Sequence, residues 1–377
     1  VAALRSISTR IEKVYGLMRS MEVDAILTFN PKNIYYLTGF VKPRLSEVSA
    51  FLTPLDDDPV LIVPRYEFDR AAEFSWIKDI RYYSPYPIRM DGERVGGIID
   101  VLRKLLEEKN LLDKLIGVEF YDMKVYLFEE MKKELPKTGF KDVSSGFWRI
   151  RSTKDMAEID NIQKAAEIAE KGLRTALEMI NPGVSEVEVL SEVESTMMKA
   201  GSQGEDVESS IVSGERSAYP YEKASNKKIG ENEIVVIVVS AAYNGYHARL
   251  SRTLYTGKPK EKHKEIFGIV NRAFQSAVSE LKPGSPLGNV DQAARKTVKE
   301  GGYEEFFIYP TGHGVGLDIK EPPIISLNNN EPVRAGMVFS IKPAIYIPRF
   351  GGIRVENTVV VREEGGKSIN KIPLETM

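Results

Sequence analysis

The sequence predicts an α/β chain of two domains, the second of which is an internal duplication. Three observations carry this expectation. The chain has 377 residues, about twice the usual domain size. Helical and strand periodicities alternate as far as residue 145. Beyond it, helix terminators recur at one fixed offset.

In the first part, Ile7, Ile11, Val14, Met18 and Met21 fall at helical spacing, and Ala25-Ile-Leu reads as a buried strand. Ser49 to Thr53 and Pro59 to Pro64 read as strands split by the turn Asp56-Asp57-Asp58. A helix over 94–108, a strand from Leu115 to Phe120 and a helix from Met123 to Glu134 complete an α/β domain over 1–145. Polar Val143-Ser-Ser-Gly146 is the expected linker to a second domain over 146–377. There, a helix from Met156 to Ile180 stops at Asn181-Pro-Gly183, and one from Glu186 to Lys199 stops at Ala200-Gly201. The design returns in Ile266 to Leu281, stopped by Lys282-Pro-Gly284, and in a helix ending at Gly301-Gly302. Pro182 and Pro283, Gly183 and Gly284, and Gly201 and Gly302 each stand 101 residues apart. Strand-rich blocks at 233–255 and 336–362 follow the two helix pairs, which predicts two helix-helix-sheet halves related by a pseudo-twofold axis.

Composition narrows the function. Hydrophobic residues make up 42% and charged residues 28%, as in ordinary globular proteins. Lys and Arg number 52 against 54 Asp and Glu, a net charge of −2 that offers no footprint for nucleic acid or an anionic membrane. Cysteine is absent, which excludes disulfides, thiolate metal sites and cysteine nucleophiles. His247, His263 and His313 are the only imidazoles. No apolar leader is visible at the start, and the longest apolar run, around Ile234 to Val239, is too short to span a bilayer. A cytoplasmic protein is expected.

Ordered motifs then carry a resemblance: Asn33-Ile-Tyr-Tyr-Leu-Thr-Gly39, Arg151-Ser-Thr-Lys-Asp155 with Glu158-Ile159, Tyr243-Asn-Gly-Tyr-His247, Gly312-His-Gly-Val-Gly316, Ala335-Gly-Met-Val-Phe-Ser340 and Gly352-Ile-Arg-Val-Glu356. Together they resemble the prolidase, aminopeptidase P and creatinase superfamily over nearly the whole chain. The resemblance implies a creatinase-like α/β domain followed by a pita-bread domain, a site between the duplicated halves, and a homodimer. Arg44 lies where such dimers offer residues to the partner's site.

The resemblance also implies a pair of divalent ions held by two Asp, one His and two Glu. The corresponding positions here are Val238, Arg249, His313, Lys342 and Glu356, so only the His and one Glu are retained. A dication repelled by one cation at about 4 Å loses ~8 kcal/mol at an effective dielectric near 20. That is much of the ~10–16 kcal/mol available to a good structural metal site. A dinuclear centre is therefore not expected, nor any other cofactor. Two family histidines are also replaced, by Tyr221 and by Lys320 of Lys320-Glu321. Creatinase, the metal-free hydrolase of the superfamily, relies on the first of these as its general acid/base, and a tyrosine with a reference pKa near 10 is a poor base at neutral pH.

Candidate catalytic groups are His313, Tyr221, Glu321 and Lys342. Candidate ligand-binding groups are Arg249, His313, Lys320, Lys342, Arg354 and Glu356, a basic cleft suited to a small carboxylate or phosphate, anionic or zwitterionic. Glu356 is expected to pair with Arg249 or Lys342, and Lys342 to be neutralised by Glu356 or Glu321. His247 reads as packed in a strand, and His263 in Lys260-Glu-Lys-His-Lys264 as a solvated helix start. The expected function is a prolidase-like pseudoenzyme that keeps a basic small-ligand cleft. The alternatives are a metal-independent hydrolase acting on an amidino or peptide-like substrate and an Xaa-Pro dipeptidase.

Overall fold

The computed structural model describes residues 2–42, 46–90, 93–203 and 207–374. Contacts divide it into two units, Val1–Ile150 and Arg151–Met377.

In the first unit, α1 (Ala2–Met21) buries Ile11, Val14, Leu17 and Met18, while the side chain of Ile7 lies outside the described residues. There follow β1 (Ala25–Thr28), α2 (Pro31–Thr38), β2 (Ala50–Pro54), β3 (Val60–Pro64), α3 (Phe68–Phe74), β4 (Asp79–Tyr83) and the short ribbon β5 (Arg89–Met90) with β6 (Glu93–Arg94). Then come α4 (Ile98–Glu108), β7 (Leu115–Val118), α5 (Val125–Glu134) and β8 (Gly139–Asp142). The strands form one mixed sheet in the order β4-β3-β2-β1-β7-β8. Every residue of β1, β2 and β3 is buried, as expected of strands covered on both faces. Ile99, Leu102, Leu105 and Leu106 of α4, with Leu127 and Met131 of α5, close one of those faces.

The segment read as a linker is instead the start of α6 (Ser144–Ser152), which runs across the division between the units. Its polar composition has local causes. The Asp142 carboxylate accepts from Ser144 N at 3.0 Å. At Gly146, a Cβ atom would meet Leu17 Cδ1 at 2.4 Å, so the glycine allows a close approach and marks no break.

The second unit continues with α7 (Met156–Met179), α8 (Glu186–Lys199), β9 (Ser210–Ser213), β10 (Ile234–Tyr243) and β11 (Tyr246–Tyr255). Asp155 and Glu158 form a reciprocal capping box at the start of α7, each carboxylate accepting from the other's backbone N–H at 2.9 Å. The second half comprises α9 (Glu261–Glu280), α10 (Leu287–Glu300), β12 (Gly312–Gly314), β13 (Glu321–Ile325), β14 (Val338–Ile341), β15 (Ala344–Ile347), β16 (Gly351–Arg354), β17 (Asn357–Arg362) and β18 (Gly365–Ser368).

Contacts repeat with the sequence offset. Thr175 meets Thr196 between α7 and α8 at 3.2 Å, and Ser276 meets Thr297 between α9 and α10 at 3.0 Å. Gly183 and Gly284 both hold positive φ, 96° and 91°, and each donates its N–H back to a returning segment, at Ile229 O and Val333 O. The proline-glycine stops are thus backbone requirements met twice.

Strand β10 lies between β9 and β11 and faces two cores. Val235, Ile237, Val239 and Ala241 pack with α7 and α8, whereas Ile234, Val236 and Val238 join the core of α9 and α10. The second sheet runs β13-β12-β14-β17-β18, and a bridge between Ser251 and Glu356 links β11 to the junction of β16 and β17. That junction brings the candidate groups together.

Gly312 sets how closely β12 approaches β14, because a Cβ atom there would meet Ser340 O at 2.3 Å. Gly312→Ala is expected to destabilise the protein by about 1–3 kcal/mol, through forced backbone shifts beside His313. Urea denaturation should show a lower midpoint with an unchanged slope.

Candidate functional site

Five strands of the second unit supply the site. Arg249 comes from β11 and His313 from β12, where it pairs with Ser340 of β14. Lys342 follows β14 directly, Arg354 ends β16, and Glu356 precedes β17. All five are buried, Glu356 completely and Lys342 to 6% exposure.

Glu356 is the centre of the arrangement. Its Oε2 accepts from the Arg354 guanidinium, its Oε1 accepts from Ser340 Oγ, and Arg249 Nε lies 3.4 Å from Oε1. Burial alone would raise the carboxyl's pKa. The charges of Arg354, Arg249 and Lys342 outweigh it and hold Glu356 ionised, well below the usual carboxylate range. Arg249 is fixed further by Thr358, whose Oγ1 accepts from Arg249 N and donates to Arg249 O, both at 3.0 Å.

Lys342 departs from expectation. Among the described residues it makes no salt bridge, because the two carboxylates expected to neutralise it are committed elsewhere. Glu356 serves the two arginines. Glu321 accepts from Lys154 Nζ at 2.6 Å and from Arg151 at 2.7 Å in a buried cluster. The Lys342 ammonium lies 5.3 Å from the Tyr309 ring centroid instead. Burial, then the charges of Arg354, Arg249 and Lys320, push its pKa down to about 7 against the pull of Glu356.

His313 is neutral at physiological pH. Burial, then the charge on Lys342 and that on Arg249, hold it well below the ordinary histidine range. Its Nδ1 lies 2.9 Å from Gly314 O, a contact that only a protonated Nδ1 can satisfy, so Nε2 carries the lone pair. That Nε2 is buried without a hydrogen-bond partner, as is Arg354 Nε.

The remaining candidates separate from this group. Glu321 is removed from it by Arg151 and Lys154. Tyr221 is 73% exposed, its ring 6.5 Å from that of Tyr309, so it stands at the surface above the buried residues. Lys320 is exposed but close enough for its charge to act on Lys342. Val238 packs in the α9–α10 core. His247 is buried, with Nδ1 3.2 Å from Gly316 O. His263 is not solvated. It lies buried between the rings of Tyr255 and Phe350, and its Nδ1 accepts from Lys260 N at 3.2 Å to cap α9. The lysines around it point outward while the imidazole turns in. Arg44 lies outside the described residues.

Sequence reasoning missed Tyr309 and Ser340. Tyr309 lies under Lys342, and its buried hydroxyl meets Tyr346 OH at 2.8 Å. Ser340 is two residues before Lys342, and strand alternation would have placed it on the same face. The surface groove of about 650 Å3 along α10, lined by Arg295, Lys296 and Leu327 among others, includes none of these groups. Among the described residues no three His, Asp or Glu side chains converge in a group able to hold a metal ion.

Comparison with known proteins agrees with this fold. The chain belongs to metallopeptidase family M24, whose description "Metallopeptidase family M24" matches residues 160–363. The "Creatinase/Prolidase N-terminal domain" matches residues 10–153. An Xaa-Pro dipeptidase of Pyrococcus furiosus is 34% identical over 98% of this chain and 99% of its own length. The crystal structure of a Pyrococcus horikoshii prolidase aligns with a TM-score of 0.87 at 33% identity, covering 98% of this chain and all of that one. An Xaa-Pro dipeptidase structure from Bacillus anthracis gives 0.89 at 29% identity, covering 98% and 99%. The second unit is the pita-bread fold, and the groups around Glu356 occupy its duplicated-strand junction.

Two outcomes test the electrostatics. Glu356→Gln leaves two buried guanidinium groups underpaired and is expected to cost about 3–5 kcal/mol in urea unfolding. Lys342 titrates near 7 when folded and near 10.5 when unfolded. Between those values the unfolded chain binds more protons, so this group's contribution improves as pH rises and is most unfavourable below 7. Lys342→Met is therefore expected to melt above the parent protein at pH 6, with the gap closing by pH 10.

Proposed function

We propose that this chain is a prolidase-like protein without a dinuclear metal centre, a pseudoenzyme that keeps the site as a basic recess for a small anionic or zwitterionic ligand. One observation carries the reading: Arg249 and Lys342, at two of the family's ligand positions, stand buried around Glu356, a third position whose carboxylate is already bound by Arg249 and Arg354. A divalent ion there would displace two guanidinium contacts and meet an ammonium group. Hard dications take carboxylate oxygens, and Val238 offers none. The residues present do not fit the ion pair.

The creatinase-type alternative has less support, since Tyr221 is exposed and Glu321 is consumed by Arg151 and Lys154. The Xaa-Pro dipeptidase alternative rests on the names of relatives alone. The protein is further assigned as a cytoplasmic homodimer with no nucleic-acid or membrane partner. Near-neutral net charge speaks against polyanionic partners, and the absence of cysteine agrees with a reducing compartment. The dimer is carried over from the family resemblance, and light scattering after size exclusion reads it.

The direct test is hydrolysis of Xaa-Pro dipeptides with added Mn2+ or Co2+, alongside metal analysis of the purified protein. Turnover at background and no stoichiometric metal are expected. Metal-dependent turnover abolished by a chelator overturns the reading.

A further inference from the structure

We propose that Lys342 is a carbonyl-trapping amine, which forms a Schiff base with a small 2-oxo acid whose carboxylate is held by Arg249 and Lys320. This deepens the basic-recess reading and rests on it.

Four observations converge. First, Lys342 is buried and, among the described residues, has no carboxylate at salt-bridge distance, in contrast to Lys154, which is equally buried but bound to Glu321. An amine kept beside other cations and away from water is the environment that makes a lysine nucleophilic, because the charged form is disfavoured. Its low pKa, already described, is the expected companion of that geometry. Second, His313 presents a bare, buried Nε2 lone pair, and Lys342 is the charge that acts on it most. Third, the surroundings hold more cations than anions. Arg249 and Arg354 share the one buried carboxylate, Glu356, and Arg249 Nε makes no aligned hydrogen bond with it; the other end of Arg249 has only the exposed Glu208 at 3.8 Å. Lys320, exposed, has no ion pair among the described residues. A neutral aldehyde would leave this surplus unmatched, whereas a 2-oxo acid supplies a carboxylate next to the electrophilic carbon. Fourth, the Tyr309 ring beside the ammonium provides an apolar wall for the short carbon chain.

The reaction balances without an oxidant or metal. The lone pair of neutral Lys342 Nζ attacks the carbonyl carbon, and the carbon–oxygen π pair moves onto oxygen. The proton lost by nitrogen passes to His313 Nε2 and from there to that oxygen, giving a carbinolamine. Nitrogen then expels the hydroxyl group as the carbon–nitrogen double bond forms. The second amine proton, carried by the same imidazole, leaves with the hydroxyl as one molecule of water. The process is reversible, so the recess holds its ligand covalently and releases it on hydrolysis.

The test uses the full chain with pyruvate or glyoxylate and cyanoborohydride, which reduces the imine in place, followed by intact mass and peptide mapping. Binding of lactate, which has the carboxylate but no carbonyl, is measured in parallel by calorimetry. One reduced adduct per chain is expected, on the peptide carrying Lys342 and ahead of any exposed lysine. Acetone should give none. Lys342→Met should lose the adduct, and Lys342→Arg should lose it while still binding lactate, with circular dichroism confirming that both fold. Lactate binding without a specific adduct at Lys342 overturns the Schiff base and leaves the basic recess standing. Failure of both lactate binding and adduct formation overturns both.

Discussion

A single fully buried carboxylate organises the site. Glu356 has no exposed surface, and an ion removed from water so completely is tolerated only when its oxygens are fully engaged. Arg354, Arg249 and Ser340 meet that need. Because they come from β16, β11 and β14, the carboxylate also joins strands from both halves of the duplication. Its commitment to the arginines leaves Lys342 without a counter-ion, so that burial first and the surrounding cations second lower the pKa of both Lys342 and His313.

The duplication explains why so many charges meet at one place. Each half contributes a helix pair backed against strands, with the helix stops repeated down to the hydroxyl contacts Thr175–Thr196 and Ser276–Thr297. The strand ends of the two halves meet at the Ser251–Glu356 bridge. Side chains there are carried on strands or on the short connections directly between them, which permits buried ions to keep fixed partners. The Arg151–Glu321–Lys154 cluster shows the same economy: a motif at the start of α7 closes over the segment that follows His313.

The duplicated architecture was legible in the sequence because proline-glycine stops answer to backbone geometry, and positive φ at Gly183 and Gly284 leaves a mark in composition. That Arg249 would meet Glu356 was legible too, since both fall at countable positions in motifs. Partner choice was not. Glu321 and Glu356 are equally acidic on paper, and only the fold shows that Arg151 and Lys154 reach the first. His263 misled because flanking lysines set the local hydropathy, although the 3.6-residue helical period turns each successive side chain by about 100° and can bury one residue between exposed neighbours. Ser144 to Gly146 misled because a helix cap and a close-packed glycine have the same composition as a linker.

Strand geometry at Val238 governs what an acidic side chain placed there would do. Val238 faces Ser251 across the β10–β11 ladder, while Arg249 lies one pleat further along on the same side. An acid arriving alone at position 238 would sit within diagonal reach of that long guanidinium, among apolar neighbours from α9 and α10. It would be captured as an internal counter-charge before it could serve any outside ion. A single acidic substitution at position 238 would therefore build an internal ion pair and no cation site.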